Sequence, residues 1–262
     1  MKFRRQPLTE GVTFDGNKFD IRLLQSSTDD VIDVAYPTIH QSKLDNNIYY
    51  FGYKFRDDVP TSVRSKFLHW IKGLDVTVPE EFFLENFIAL PVMELNKRIN
   101  LNEFSCVLYP RSNRSDLTHT IHRCVLDHLT AQTIASFEFI KTLPSEVTFN
   151  WGKFDALYSG ELGDNQYQQI KQHVENILLP KIHSQEYFSL ALNVKSKYRP
   201  YIQNFLKFES SKHRAAFQAI NSGKILIIDD INTSGSTLRE IVRIIRSLSP
   251  DVDIYIFTLI GK

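Results

Sequence analysis

Cysteine is nearly missing from this chain: Cys106 and Cys124 are the two among 262 residues. Two thiols cannot staple a domain of that length, which excludes a disulfide framework and leaves both as expected core thiols in reduced form. Long apolar runs are missing as well, none approaching the ~20 residues that a membrane helix needs. The opening MKFRRQPLTEG has basic residues but lacks the apolar segment that follows them in a signal peptide. Nor is there an excess of one charge: 31 Lys and Arg stand against 30 Asp and Glu, a net +1. That balance gives no general attraction to nucleic acid or to an anionic membrane, although local basic clusters leave nucleic acid open. No repeat and no low-complexity tract interrupts the sequence. The absences together describe a cytoplasmic globular protein with no membrane partner.

The length suits one large domain, or a core with an accessory region. The first hundred residues are mixed. KFDIRLLQ and the aromatic-rich NIYYFGYKF predict strands. TSVRSKFLHWIKGL predicts a helix capped by Asp58 or Thr61. EEFFLENFIALPVMELNKRI predicts another, opened by Pro79 and two acids and kinked or divided at Pro91. From Leu101 strands and helices alternate. FSCVLYP and SFEFIKTL predict strands on either side of the helical LTHTIHRCVLDHLTAQTI; KILIID, STLREIVRIIRSL and DIYIFTLI predict strand, helix, strand. Residues 144–193 form an extra block with a helix expected from Asn165 to Leu179. Alternation of this kind implies an α/β core, a mainly parallel sheet with helices on both faces. The expected division is an accessory α+β region over residues 1–100 and a core over 101–262, interrupted at 144–193.

One stretch concentrates chemistry: KILIIDDINTSGSTLREI, residues 224–241. An apolar strand ends on Asp229 and Asp230, and a hydroxyl-rich loop then enters a helix. In parallel sheets, ligands bind beyond the carboxyl ends of the strands. A loop opening a helix offers unpaired N–H donors and the positive end of the helix dipole to an anion. Gly235 allows a left-handed turn, and Thr233, Ser234, Ser236 and Thr237 add hydroxyl donors. Carboxylates accept hydrogen bonds from a diol. Phosphate beside a diol describes a ribose 5-phosphate. Two acids after a strand also occur in nucleotide hydrolases and response-regulator pockets, and Ser and Thr often only cap a helix. A phosphate-binding P-loop is absent, because SGKI at 222–225 lacks its spacing and hydroxyl.

The run ILIIDDINTSGSTL resembles the PRPP-binding signature of type I phosphoribosyltransferases. The layout of KHRAAFQAINSGKILIIDDINTSGST is similar to the competence-associated ComF-type branch. The resemblance extends from Leu101 onward with one interruption. It implies that Asp229 and Asp230 address the ribose 2- and 3-hydroxyls of PRPP, while Asn232, Thr233, Ser234, Gly235, Ser236 and Thr237 hold its 5-phosphate. It also makes RSNRS, Arg111, Ser112, Asn113, Arg114 and Ser115, a pyrophosphate loop with Arg111 or Arg114 as donor. Lys195, Lys197, Arg199, Lys212 and Arg214 are candidates for a leaving-group contact, Arg214 first because it stands nearest the Ala216-Phe217 pair, similar to the basic residue and Ala-Phe that precede the signature in the ComF-type branch. Mg²⁺ would be held mainly by the substrate, with Asp229 and Asp230 as protein contacts. The implied reaction moves phosphoribose to a nitrogenous acceptor, such as a nucleobase, and releases pyrophosphate.

The sequence departs from that pattern in three places. It stops at Lys262 just after the last strand, where many relatives continue and hold the base. Residues 144–193 are additional. The zinc-binding cysteines of typical ComF proteins are missing, and His119, His122 and His128 lack partners at zinc-ligand spacing. The acceptor is therefore expected to meet the N-terminal region, the inserted block or another chain. That leaves room for a homodimer or for a partner protein docked through the N-terminal region. Two other readings of the same residues are a non-catalytic PRPP or nucleotide sensor and an effector subunit of a larger complex, such as a phage-defence system.

Overall fold

The computed structural model describes residues 10–14, 19–23, 30–32, 39–75, 78–112, 115–129, 134–158, 163–232 and 234–261. Strands β1 (Glu10–Phe14), β2 (Phe19–Leu23) and β3 (Asp30–Ile32) make a small antiparallel sheet in the order β2-β1-β3. β4 (His40–Leu44) and β5 (Asn47–Lys54) follow as a hairpin, with Asp45 in the left-handed region at φ 54°. Next come α1 (Thr61–Ile71) and α2 (Glu81–Arg98). β6 (Phe104–Pro110), α3 (Leu117–Asp127) and β7 (Ala135–Lys141) begin the alternating part. The inserted block supplies β8 (Thr148–Phe149), α4 (Trp151–Tyr158), α5 (Asp164–His173), α6 (Leu179–His183) and α7 (Leu190–Asn193), with a π-helical turn joining α5 to α6. β9 (Ile202–Gln203), β10 (Leu206–Phe208), α8 (Ser211–Gln218), β11 (Lys224–Ile231), α9 (Ser236–Leu248) and β12 (Asp253–Gly261) complete the order.

The main sheet has seven strands in the order β10-β7-β6-β11-β12-β5-β4. Its inner five are parallel, and β10 and β4 are antiparallel edges. The molecule is thus α/β, with a mostly parallel mixed sheet flanked by helices. Period-two alternation divides the strands between two cores. Leu226 and Ile228 of β11 join the aromatic side of α1 and α2, including Phe67, Trp70, Phe83 and Phe87. Ile225 and Ile227 join α8, α9 and the inserted block, through Phe217, Ile241, Ile245, Val174 and Ile182. The sheet does not stop at residue 100, because β5 pairs in parallel with β12, Tyr50 opposite Phe257.

Three local details depart from expectation: a division at Pro91, the cap of α1 and the end of α3. α2 runs undivided through Pro91. The ring finds room because Gly52 lies beneath it on β5, where an added Cβ would stand 2.5 Å from the Pro91 Cβ. α1 has Pro60 at its N-cap and no side-chain cap; Asp58 is held instead by the Arg56 guanidinium at 2.7 Å. α3 ends at Asp127, where His128 Nδ1 donates to the Cys124 carbonyl at 2.8 Å. Both cysteines are buried, and burial pushes each thiol up to about 12. Among the described residues, no helix is long and apolar enough to cross a membrane.

Candidate functional site

The chain leaves β6 towards β7 and leaves β11 towards β12, in opposite directions across the sheet. Between β6 and β11 the connections therefore diverge, and that switch point is where a parallel sheet opens a crevice beyond its carboxyl ends. A cleft of about 520 Å³ lies there. β11 and its loop contribute Asp229, Asp230, Ile231, Ser234 and Thr237, and the loop after β6 contributes Pro110, Arg111 and Ser112. α1 brings Ser65, Leu68 and His69, followed by Lys72, and the inserted block brings Phe188, Ser189 and Leu190. Lys141, Arg199 and Phe205 are also among the lining residues.

Adjacent strand residues point to opposite faces, so the two acids are not equivalent. Both are buried, 7% and 6% exposed. Asp230 continues the Leu226–Ile228 side and meets α1, where Lys72 Nζ lies 2.7 Å from its Oδ2. Asp229 continues the Ile225–Ile227 side and pairs in register with Thr258 of β12. Thr258 Oγ1 is 2.7 Å from the Tyr49 hydroxyl and donates to the Ile260 carbonyl at 3.0 Å. Burial pushes the Tyr49 phenol up to about 12, with the Asp229 charge adding to the rise. Asp229 Oδ1 accepts the Asp230 backbone N–H at 2.9 Å. Burial, and then the neighbouring Asp230 charge, hold the Asp229 carboxyl well above the usual carboxylate range, against the opposing pull of Lys72 and that N–H.

The loop into α9 is built as expected of a helix entry. Gly235 is left-handed at φ 70° and occupies the N-cap, where a Cβ would press on Leu44 and Arg239 at 3.0 Å each. The Ser234 and Ser236 hydroxyls are 3.0 Å apart. Arg239 donates to the Ser234 carbonyl at 2.7 Å and to Asp45 at 3.2 Å, fixing the loop against the β4–β5 turn. Asn232 donates its backbone N–H to the Ile260 carbonyl at 2.9 Å. Thr233 lies outside the described residues.

The expected pyrophosphate loop reaches the same edge of the sheet. Arg111, however, is clamped by two carboxylates: Glu138, which accepts from Nε at 2.9 Å and from Nη2, and Glu209 at 2.9 Å. Ser112 lines the cleft. Ser115 lines an adjoining cavity of about 320 Å³ and accepts the Leu117 N–H, while Asn113 and Arg114 lie outside the described residues. Arg214 does not line the cleft. β10 runs antiparallel, away from the carboxyl edge, and α8 carries Arg214 behind it onto an exposed face. Of the basic cluster, Arg199 is the member on the cleft wall, and it donates to the Val194 carbonyl at 2.9 Å. Lys195, Lys197 and Lys212 are exposed.

Sequence reasoning missed Lys72, His69 and Lys141. A cation closing a helix gives no sign of which strand end it will face.

Among the described residues, no group of three or more His, Cys, Asp and Glu side chains could hold a metal. His122 is instead buried, its Nε2 3.0 Å from the Ser136 hydroxyl, and burial pushes it down to about 4. Two carboxylates are oxygen donors suited to Mg²⁺ but too few for a cage, so a magnesium ion would rest mainly on ligand oxygens. No family model matches the chain, and no curated protein matches it either.

Proposed function

We propose that this chain is a Mg²⁺-dependent phosphoribosyltransferase of the type I kind, binding PRPP and passing its phosphoribose to a nitrogenous acceptor. The observation that carries the reading is a single cleft at the switch point of the sheet that holds both strand-end acids together with a hydroxyl-rich helix entry. The α9 entry, with Ser234, Ser236 and Thr237, takes the 5-phosphate on N–H and hydroxyl donors. Asp229 and Asp230 accept from the ribose hydroxyls and fix C1 relative to the acceptor. In the transfer an acceptor nitrogen forms a bond to C1 while the bond from C1 to the pyrophosphate oxygen breaks, the electron pair leaving with pyrophosphate and the acceptor's N–H proton passing to that pyrophosphate or to water. Little covalent chemistry falls to the protein, whose work is positioning and water exclusion. When bound, Mg²⁺ offsets the charge of the departing group. A cytoplasmic setting, which keeps buried thiols reduced, belongs to the same proposal.

Asp230→Asn tests it. The variant is expected to fold, because an amide keeps the shape, and to lose PRPP turnover with magnesium present. Turnover at the wild-type rate would remove the acids from the reaction. A specific observation favours a second reading, a sensor that binds PRPP without turnover: Arg111 is committed to Glu138 and Glu209, and Arg214 stands away from the cleft. Pyrophosphate release with any acceptor eliminates the sensor. Tight binding without release across a panel of bases establishes it.

A further inference from the structure

Two buried acids share the cleft, and the cation placed on them comes from outside the signature. Lys72 is the C-cap of α1, followed by Gly73 in the left-handed region at φ 65°. Three features suit it to a task beyond pairing. Its position at the carbonyl end of α1 favours positive charge. Its side chain is 24% exposed, so the ammonium borders the cleft rather than sinking beneath it. An ammonium has three N–H donors, and one suffices for Asp230 Oδ2. The guanidinium groups on the cleft wall and the α9 entry are engaged, Arg111 with two glutamates, Arg199 with the Val194 carbonyl and Arg239 with Asp45 and the Ser234 carbonyl.

We infer that Lys72 touches the bound ligand, donating to a diphosphate oxygen while it holds Asp230, so that the N-terminal region supplies the cation that neutralises the leaving group. The inference rests on the reading of the cleft as a phosphate-ester site. It converts α1 from a neighbouring helix into part of the substrate-binding machinery. The competing role for Lys72 is simple neutralisation of a buried carboxylate, since removing one member of such a pair leaves an uncompensated charge. The two roles separate in a double variant. Lys72→Met/Asp230→Asn removes both charges, and with them the need for neutralisation.

The experiment is calorimetric titration of the full chain with inorganic pyrophosphate in magnesium, on wild type, Lys72→Arg, Lys72→Met, Asp230→Asn and the double variant, with PRPP turnover measured alongside. Ligand contact predicts binding weakened about tenfold or more in Lys72→Met, largely retained in Lys72→Arg, and still weak in the double variant. Recovery of wild-type affinity in the double variant overturns the inference in favour of neutralisation. Wild-type affinity in Lys72→Met overturns it too, as does a wild type that does not bind pyrophosphate. If Lys72→Met does not fold, the double variant is compared with Asp230→Asn: weaker binding in the double variant supports the contact, and equal binding overturns it. Lys72-dependent pyrophosphate binding without transfer to any acceptor leaves this inference standing and removes the transferase alone.

Discussion

Asp229 is maintained at a cost to the fold. Its pKa is raised first by burial and then by the Asp230 charge, so the native state binds its proton more tightly than the unfolded chain does. For such a group the stabilising contribution is complete below the unfolded aspartate value, near 4, and is lost as pH rises through the folded value. Asp229→Asn is neutral at every pH and its Oδ1 can still accept the Asp230 N–H. The variant should therefore melt above wild type at pH 8, by roughly 3–6 °C for a chain of this size, with the gap closing below about pH 4. Differential scanning calorimetry across pH reads it directly, and a gap that widens on acidification would contradict the assignment. The two acids and the serines beside them were legible in the sequence because strand, acids and helix entry are contiguous. Lys72 was not, because its partner is chosen by how α1 lies on β11.

At the scale of elements, the pairing of Gly52 with Pro91 decides how α2 sits on β5. The sequence led to the expectation that Pro91 kinks or divides α2, which is locally sound, since the ring removes a donor and crowds the preceding turn. Packing accompanies an undivided helix: Gly52 provides the space, and Phe87 stacks on Tyr53 with ring centroids 4.2 Å apart. Gly52→Ala would drive a methyl group into the ring and is expected to cost ~1–3 kcal/mol, the usual range for overpacking a filled core. Urea denaturation should show that loss with an unchanged m value. A neutral substitution would mean that α2 shifts freely on the sheet. β6, α3, β7, β11, α9 and β12 were readable from periodicity, whereas the short β10 and the helix α8 after it were not. The antiparallel direction of β10 sends Arg214 away from the cleft, and direction leaves no trace in composition.

At the scale of the molecule, residues 39–100 and the later strands share one sheet and one aromatic core. Composition suggested a boundary near residue 100 because the grammar changes there, but a change of grammar does not register which edges pair. A fragment starting at Leu101 would expose the edge of β12 and strip Phe67, Phe83 and Phe87 from their core. It is expected to aggregate, or to stay expanded by size-exclusion chromatography and circular dichroism; a monomeric fragment with cooperative melting would establish an independent core. The β5–β12 pairing has another consequence. Tyr49 and Thr258, which meet across it, are 209 residues apart. During synthesis α1 and α2 can cover the Tyr53 side of β5 early, but its edge stays unpaired until β12 has been made. Assembly of the sheet therefore includes the closure of a long loop, and the open edge of β5 is the strand exposed to wrong pairing through that interval.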